Sequence, residues 1–593
     1  MGSIGEAYSV QREAQKVFEQ GVLQNPLIPK LPAEIKDAAK AVHFTGSPAP
    51  IVPINWRFAE SASVLKAFEA SLLNVLRLRK YGAMFSDVTI NTNHASLFTM
   101  SLQLAKVVEA NGELTGIPLT NPKALQACGF KNQDLHDVNG AIQRHLATNI
   151  YKTRDGKFYH VHGSMNPDPT LQALGLSLYG EKGDTRDTVV DRIQKVVEQH
   201  DSAELDRLIN DQYKQAGTIA YTVEEFRNSE HGKANAHVGL YELSRHEGSQ
   251  QPASWWPEQP SMPSSASRPL AGLKVVDLTR VIAAPTITRS LAEMGASVMR
   301  VTSPNVTDHW GLHADLNWGK WNCYLDLKKN PEDRAKLAEL IKEADVVVEG
   351  YRPEAMARNG FGRDDIFELV KGRDRGIIHV RENCYGWYGP WAGRSGWQQI
   401  SDACTGVSLS YGKAIGSNDA VTPGFPNSDY STGISGSIAT LHALIRRGEE
   451  GGSFSVDVSL VTRSIQTQRQ LTRAQCALNY YKQWLINSVG TYPPEVWSEL
   501  WKRHGSPTYR HYQDISQVMP DTMARLRKED GEEIFDPTFF ERRQSKAMGR
   551  EFVHVKPIVQ FKDDVRLGFH VGCRSNGLDQ PRWPEDLGVE VVE

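Results

Sequence analysis

The second half of the chain alternates short apolar runs with amphipathic stretches. The apolar runs suit buried strands, and the stretches between them carry helix signals, such as a proline at the start of 331–343 and Gly295 after 285–293. We predict strands at 273–278, 297–301, 344–350 and 376–383, and helices at 285–293 and 331–343. Strands that alternate with helices predict a doubly wound, Rossmann-like α/β domain with a parallel sheet and right-handed crossovers.

The first half has a less regular pattern. A long amphipathic helix is predicted at 61–79 and a strand at 86–91. Asp155-Gly156 stands between two β-prone runs in YKTRDGKFYHVHGSM and predicts a tight hairpin, after which charge-rich sequence predicts helices to about Arg245. The order helix, glycine, strand in ASLLNVLRLRKYGAMFSDVTI returns in ATLHALIRRGEEGGSFSVDVSL, which indicates an internal repeat.

A segment rich in proline and serine separates the two halves. QPASWWPEQPSMPSSASRP, residues 251–269, has no periodicity that would bury one face, so it predicts an extended linker. Trp255 and Trp256 are unusual in a spacer, and we expect them to lie against a domain surface. The predicted divisions are 1–250, with a smaller α+β domain segment from about 151, the linker 251–269, and a large domain with a C-terminal extension at 270–593.

The composition excludes several function classes. The 67 basic and 70 acidic residues leave a net charge of −3, so we expect no broad basic surface and no nucleic-acid partner. No apolar run approaches the roughly 18 residues of a membrane-spanning helix, so no membrane partner is expected. Six scattered cysteines without a Cys-x-x-Cys pair point away from disulfides and cysteine-rich zinc modules. Without a secretory signal or a C-terminal targeting tripeptide, a cytoplasmic protein is expected, with mitochondria or peroxisomes as alternatives.

The first turn of the predicted α/β domain does not suit a dinucleotide. A dinucleotide fold needs Gly-x-Gly-x-x-Gly there, whereas this chain reads DLTRVIAAP from Asp277 to Pro285. The small residues before the proline still predict a tight turn whose helix N-terminus could hold an anion, with Arg280 adding charge. The alternative is a packed turn with a solvated arginine.

Four blocks of sequence in the second half carry a family resemblance. They lie within 269–460 and read PLAGLKVVDLTRVIAAPTITRSLAEMGASVMRV, NWGKWNCYLDLKKNPEDRAKLAELIKEADVVVEGYRPEAMARNGFG, CYGWYGPWAGRSGWQQISDACTG and FPNSDYSTGISGSIATLHALIRRGEEGGSFSVDVSL. In this order they resemble the family III CoA-transferases, the group of the carnitine and formyl-CoA enzymes and α-methylacyl-CoA racemase. YKTRDGKFYHVHGSM resembles the start of the family's small domain, so 1–250 is identified as a partial copy before one complete large domain.

The resemblance implies an aspartate nucleophile, which is Asp429 in NSDYSTG here. Its carboxylate would attack a thioester to form a mixed anhydride, and the CoA thiolate would return to give an aspartyl-CoA thioester, from which CoA passes to a second carboxylate. Without the family, Asp429 would be predicted as the N-cap of the following helix. Gly433 and Gly436 are expected to let the thioester approach the backbone. The equivalent position in the first half falls near Glu60, so a second active site is not expected.

The resemblance also implies residues that bind CoA. They are Arg280, Ile282, Leu325, Lys328, Gly350, Tyr351, Arg358, Asn383 and Tyr385. Basic side chains suit phosphates and a tyrosine offers an aromatic face to adenine, with surface charges and core tyrosines as the alternatives. Thr302 replaces the family's acidic residue and Gly350 its asparagine. CoA and acyl-CoA are thus expected as substrates, with a small carboxylic acid, and no permanently bound cofactor is expected.

One departure bears on the reaction. The family's racemases carry Gly-His-Asp where this chain reads Gly396-Trp397-Gln398, and tryptophan cannot move an α-proton. CoA transfer is therefore preferred, with an acyl-CoA racemase or isomerase and a non-catalytic CoA-binding protein as alternatives.

No metal site is predicted from the histidines. His160 and His162 alternate on a strand and His309 and His313 stand four apart, but neither pair has the carboxylates or cysteines that would complete a site.

The resemblance bears on assembly as well. Interlinked family dimers predict a homodimer, with a self-contained pseudo-dimer as the alternative. The segment around 151–175 is expected to pack against a large domain, either its own or a partner's.

Overall fold

The largest sheet of the computed structural model comes almost entirely from the second half of the chain. The structure describes residues 8–456 and 476–593. Parallel strands stand side by side in the order three, two, one, four, five, six by sequence, which is the doubly wound order that reverses between the first and fourth strands. Along the chain these strands are Lys274–Leu278, Ser297–Thr302, Lys320–Tyr324, Val346–Glu349, Ile378–Asn383 and Phe454–Val456. The predicted doubly wound α/β fold is confirmed.

Two short strands complete this sheet. Ser244–Arg245 pairs antiparallel with Phe454–Val456, and Cys476–Ala477 pairs with Ile378–Asn383. The second copy of the predicted repeat extends to residue 460, and its residues 457–460 lie outside the described residues.

The predicted helices of the large domain are confirmed. Pro331–Glu343 has the predicted bounds, and Ala283–Glu293 begins two residues before Pro285, which lies in its first turn. Gly295 follows helix Ala283–Glu293 with a φ of +110°, a backbone conformation that favours glycine.

Three long helices form the centre of the molecule. Ala283–Glu293 packs along Asn427–Glu450, which also packs along Phe58–Tyr81 from the first half. The last two helices are the repeated helices expected from the sequence, so the repeat places its two copies in direct contact. One hydrophobic core continues through all three helices.

Three smaller sheets complete the fold. The predicted hairpin is confirmed as antiparallel Asn149–Lys152 and Phe158–His162. Ala216–Ile219 adds a third, fully buried strand, so the prediction of helices throughout the charge-rich region to Arg245 is wrong there. A run of small and β-branched residues that is fully buried is more stable as a strand paired in a sheet than as an exposed helix.

The two other sheets join the first half to the C-terminal region. One contains Phe540–Ser545, Arg550–Val555, Lys106–Val108 and Leu114–Gly116, and the other contains Val42–Thr45, Val88–Asn91 and Gln560–Phe561. The boundaries predicted near residues 250 and 270 stay a prediction.

The remaining helices lie around these sheets. Those of the first half are Val10–Val17, Ile35–Lys40, Thr92–Phe98, Ser101–Leu104, Pro122–Ala127, Ile142–Leu146, Asp168–Ala173, Arg186–Val197, Ser202–Asp206, Val223–Asn228 and Glu230–Asn235. Those of the second half are His313–Leu316, Arg363–Leu369, Gln398–Cys404, Val407–Ala414, Leu478–Trp484, Pro494–Arg503, Ile515–Glu529 and Gly531–Ile534.

The segment 251–269 runs over the surface without a helix or named strand. Trp256 is buried and its Nε1 donates a hydrogen bond to the carbonyl of Ala271 at 2.9 Å, while Trp255 packs edge-to-face against it. The tryptophans therefore lie against the large domain, as expected.

The hairpin sheet packs against the large domain of its own chain. The ring of His162 stacks on Trp397, and the amide of Tyr221 donates to the carbonyl of Ala403 at 3.0 Å. Within the described part of the chain, no helix is both long and apolar enough to cross a membrane. The homodimer and the cytoplasmic location stay predictions.

Candidate active site

A cavity lies at the switch point of the large sheet, between its first and fourth strands. The loops that follow the first, fourth and fifth strands line it with residues 280–283, 350–353 and 382–384, and its volume is about 100 Å³. Doubly wound sheets bind ligands in this crevice because adjacent loops diverge there. We call this space the switch-point cavity.

Asp429 lines the switch-point cavity from the start of helix Asn427–Glu450. The hydroxyl of Tyr481 donates to Oδ1 of Asn427 at 2.5 Å, which fixes the first turn. Asp429 is the third residue inside the helix and Pro426 precedes the helix, so the alternative prediction of Asp429 as N-cap is wrong. Among the described residues, no hydrogen-bond partner of the Asp429 carboxyl is found, so this group is not committed to a structural role.

The surroundings of Asp429 favour its neutral form. Burial, with the negative charge of Asp402 in addition, raises its pKa from 3.8 to about 8, although the ammonium of Lys482 opposes the rise. Lys482 is itself ion-paired with Asp402, and both side chains are fully buried. The partial positive charge at the helix N-terminus also favours ionisation, but desolvation outweighs it.

A second carboxyl group lines the same cavity. Glu382 is the last residue but one of the fifth strand, and burial together with the charge of Asp429 raises its pKa from 4.5 to about 8. Two carboxyl groups that face one cavity oppose each other's ionisation, so they can hold and exchange protons near neutral pH. Glu382 was not predicted from the sequence, because no motif marks a residue near the end of a strand.

Three arginines line the switch-point cavity. They are Arg280, Arg352 and Arg394. Partial burial and the nearby charge of Arg280 lower the pKa of Arg352, as expected for two cations without an anion between them. Arg394 is ion-paired with Asp206 at 2.9 Å, which fixes the position of its guanidinium group. This arrangement can hold the phosphate groups of an anionic ligand.

The predicted CoA-binding residues divide into two groups. Those that line the switch-point cavity are Arg280, Ile282, Gly350, Tyr351 and Asn383. Those that line neither this cavity nor the larger one described below are Leu325, Lys328, Arg358 and Tyr385. Leu325 and Tyr385 are buried in the core, whereas Lys328 and Arg358 are exposed. Their roles stay predictions.

Gly350 has a structural reason to depart from the family's asparagine. A Cβ at this position would lie 2.4 Å from the Cβ of Ala284 and 3.4 Å from Oε2 of Glu382. Any side chain here would push the start of helix Ala283–Glu293 away from the fourth strand.

The turn after the first strand holds a strained residue. Val281 has a φ of +71°, a conformation that β-branched residues rarely adopt. Such strain persists where the surrounding structure enforces it, often at functional sites. Here it places Val281 and Ile282 between two cavities.

A larger cavity of about 430 Å³ lies on the other side of Asp429. We call it the acyl-side cavity. Four residues line both cavities: Val281, Ile282, Trp397 and Asp429. Asp429 is the only ionisable one of these four, so a reactive carboxyl group lies at the junction.

Trp397 is held rigidly at this junction. Its ring stacks on that of His162 with the centroids 5.1 Å apart, and its Nε1 donates to Oγ of Ser164 at 3.1 Å. The amide of Ser164 donates to Nδ1 of His162 at 2.9 Å, so in the neutral ring the proton lies on Nε2. Burial keeps the pKa of His162 well below its ordinary value.

Gly433 and Gly436 have a different role from the one predicted. A Cβ at Gly433 would lie 2.4 Å from the Cβ of Thr286, and one at Gly436 would lie 2.5 Å from Cδ1 of Ile287. Both glycines let helix Asn427–Glu450 approach helix Ala283–Glu293, and neither lines the switch-point cavity or the larger cavity beside Asp429. The expectation that they admit the thioester is wrong.

The remaining candidate residues have structural partners. Glu60 is fully buried, is ion-paired with Arg57 at 3.3 Å and lines neither cavity. His313 pairs with Asp308 at 3.1 Å. Over residues 8–456 and 476–593, no group of three or more His, Cys, Asp or Glu side chains is placed to hold a metal ion.

Comparisons with known proteins show which family the chain resembles. The family described as CoA-transferase family III matches residues 270–492. Acetyl-coenzyme A transferase nodX of Hypoxylon pulicicidum is 54% identical over 98% of this chain and 95% of that protein. An acyl-CoA transferase of Gibberella moniliformis is 33% identical over 74% of this chain and 76% of that protein. The human succinyl-CoA:glutarate CoA-transferase is 29% identical over 35% of this chain and 49% of that protein.

Proposed function

Since the chain belongs to CoA-transferase family III and is an enzyme of that family, we propose that Asp429 carries CoA from an acyl-CoA thioester to a second carboxylic acid. The observation that carries the proposal is the position of Asp429 at the junction of the two cavities. The thioester carbonyl carbon lies between the CoA sulfur and the acyl chain, so the nucleophile must lie where the space for CoA meets the space for the acyl group. Among the residues that line both cavities, only Asp429 can attack a carbonyl carbon.

In the first half of the reaction, the acyl group is transferred to Asp429 and CoA then replaces it. A carboxylate oxygen attacks the thioester carbonyl carbon, the carbon–sulfur bond breaks, and a mixed anhydride forms as the CoA thiolate leaves. The thiolate then attacks the side-chain carbonyl carbon of Asp429, which releases the donor acid and leaves an aspartyl-CoA thioester. The acceptor carboxylate repeats these steps in reverse order, so Asp429 is regenerated.

The protein can stabilise the negative charges that form during these reaction steps. Helices Ala283–Glu293 and Asn427–Glu450 both begin at the switch-point cavity, and their N-termini favour a thiolate and an oxyanion. Glu382 lines the same cavity and is proposed to take the proton that Asp429 must lose before it attacks, because both carboxyl groups have a pKa near 8.

The switch-point cavity is proposed to hold the CoA part of the substrate. Arg280 and Arg352 suit its phosphates, and Tyr351 and Ile282 line the path towards Asp429. Lys328 and Arg358 lie outside the cavity and are proposed to contact the distal nucleotide. The names of the relatives support a thioester donor, and the human relative is named for two carboxylic acids, succinate and glutarate.

The test is CoA transfer by an Asp429→Asn variant. Wild-type protein is incubated with acetyl-, succinyl- and dodecanoyl-CoA and isotope-labelled acceptor acids, and labelled acyl-CoA is measured by mass spectrometry. We expect D429N to lose at least about 1,000-fold of the rate, because an amide is not a nucleophile here. Asp374→Asn, a change at an exposed carboxylate, is the matched control and should keep the wild-type rate. Wild-type transfer that persists in D429N would refute Asp429 as the nucleophile.

A further inference from the structure

The acyl-side cavity has walls that the family match does not cover. Leu102, Leu119 and Leu125 come from the first half, and Ile515 and Met519 come from helix Ile515–Glu529 near the C-terminus. All five lie outside residues 270–492, the region shared with the family. Residues outside the region that the family model matches therefore shape the space beside the nucleophile.

The cavity is large for a transferase of small acids. Its volume of about 430 Å³ falls in the range of sites that enclose drug-sized ligands, roughly 300–1,000 Å³. One water molecule occupies about 30 Å³ of liquid, and a chain carbon occupies a similar volume, so the cavity holds on the order of ten to fifteen carbon atoms. An acetyl group would leave most of it unfilled.

The charges in this cavity disfavour a second carboxylate on the substrate. Arg144 is the only lysine or arginine among the described residues that line it. Its guanidinium pairs with Asp168 at 2.7 Å and donates to the backbone carbonyls of His136, Asp137 and Leu178, so it is already occupied. Besides Asp429, four aspartates line the same cavity. Asp308 and Asp514 are ion-paired with Arg300 and Arg186, but among the described residues no ion pair is found for Asp134 or Asp137. The distal carboxylate of a dicarboxylic acid would meet negative charge there.

We propose that the acyl-side cavity binds the hydrocarbon part of a bulky, apolar monocarboxylic acid, both as the acyl group of the thioester and as the free acid. This inference rests on the proposed function, because it places the reacting carboxyl group at Asp429. The apolar walls bury the hydrocarbon, and burial of each CH₂ group contributes about 0.8 kcal/mol. An acid of about ten to fifteen carbons therefore gains most from this cavity.

The substrate preference is tested with acyl-CoA donors of graded size. Formation of the covalent enzyme adduct is measured for acetyl-, succinyl-, octanoyl- and dodecanoyl-CoA, and kcat/KM is compared. We expect dodecanoyl-CoA to exceed acetyl-CoA and succinyl-CoA at least tenfold. Acetyl- or succinyl-CoA at least as good as dodecanoyl-CoA would overturn the inference and leave the proposed function intact. No adduct with any donor would instead refute the proposed function.

A cavity-filling variant tests the location of the acyl group. Met519→Trp places a larger side chain in the wall, and Gln517→Trp on the same helix is the matched control, since Gln517 is exposed and does not line the cavity. We expect the ratio of kcat/KM for dodecanoyl-CoA to that for acetyl-CoA to fall at least tenfold in M519W and to stay unchanged in Q517W. Equal ratios in both variants, with both folded by circular dichroism, would overturn the inference.

Discussion

The raised pKa of Asp429 makes acyl transfer from the donor strongly dependent on pH. Burial and the charge of Asp402 raise this pKa to about 8, whereas attack requires the ionised carboxylate. A group with a pKa near 8 is ionised to about 1% at pH 6, about 10% at pH 7 and about 50% at pH 8. We therefore expect the rate of adduct formation to rise about tenfold from pH 6 to 7, about fivefold from pH 7 to 8, and less than about twofold from pH 8 to 9.

The assay is a single-turnover experiment at saturating acyl-CoA, quenched between pH 6 and 9. The D429N variant supplies the rate of non-enzymatic thioester hydrolysis at each pH. A profile that is flat over this range would refute the reasoning, because it would mean that Asp429 keeps an ordinary carboxyl pKa near 3.8.

Removing the facing carboxyl group should shift this profile. Glu382→Gln leaves a neutral side chain of similar size, so Asp429 no longer ionises against a second acid. We expect the midpoint to move to lower pH by about half a unit or more, while an unchanged midpoint would mean that the two groups do not interact.

Three further outcomes are expected. Asp429→Asn should raise the thermal midpoint of unfolding by about 2–5 °C at pH 9 and leave it unchanged at pH 4. The reason is that a carboxyl group whose pKa rises from 3.8 to about 8 on folding destabilises the folded protein increasingly between those pH values. Equal midpoints of variant and wild type at pH 9 would contradict this. Gly433→Ala should lower the free energy of unfolding in denaturant by about 1–3 kcal/mol, because the new Cβ would contact Thr286 too closely. Gly372→Ala is the control and should leave this free energy unchanged, because no atom lies within 4 Å of a Cβ there. Equal stability of the two variants would count against the helix packing described. Arg352→Ala should raise KM for acyl-CoA several-fold without a change in KM for an acyl-pantetheine that lacks the phosphates, and a rise for both would remove Arg352 from phosphate binding.

The sequence predicts the large sheet well because buried parallel strands are short apolar runs. Helix 331–343 has its predicted bounds because Asn330 caps it and proline occupies its first position. The strand Ala216–Ile219 could not be predicted from local pattern, because its small residues favour a strand only when Phe158–His162 is there to pair with them.

The site was only partly predictable. Asp429 is found through the family motif, but Glu382 carries no motif and reaches the cavity only because strand ends and loops meet at the switch point. Leu102 and Leu125 resemble ordinary core residues in the sequence, and only the fold shows that they line a cavity with the nucleophile. Contacts between distant segments decide these positions, and local sequence does not record them.

The most direct measurement of the central claim is the identity of the residue that becomes covalently modified. The enzyme is incubated with acetyl-, succinyl- and dodecanoyl-CoA, treated with hydroxylamine, digested and analysed by peptide mass spectrometry. We predict a hydroxamate on Asp429 with at least one donor and none in D429N. A hydroxamate on Glu382, or transfer of CoA without any modification of Asp429, would contradict it.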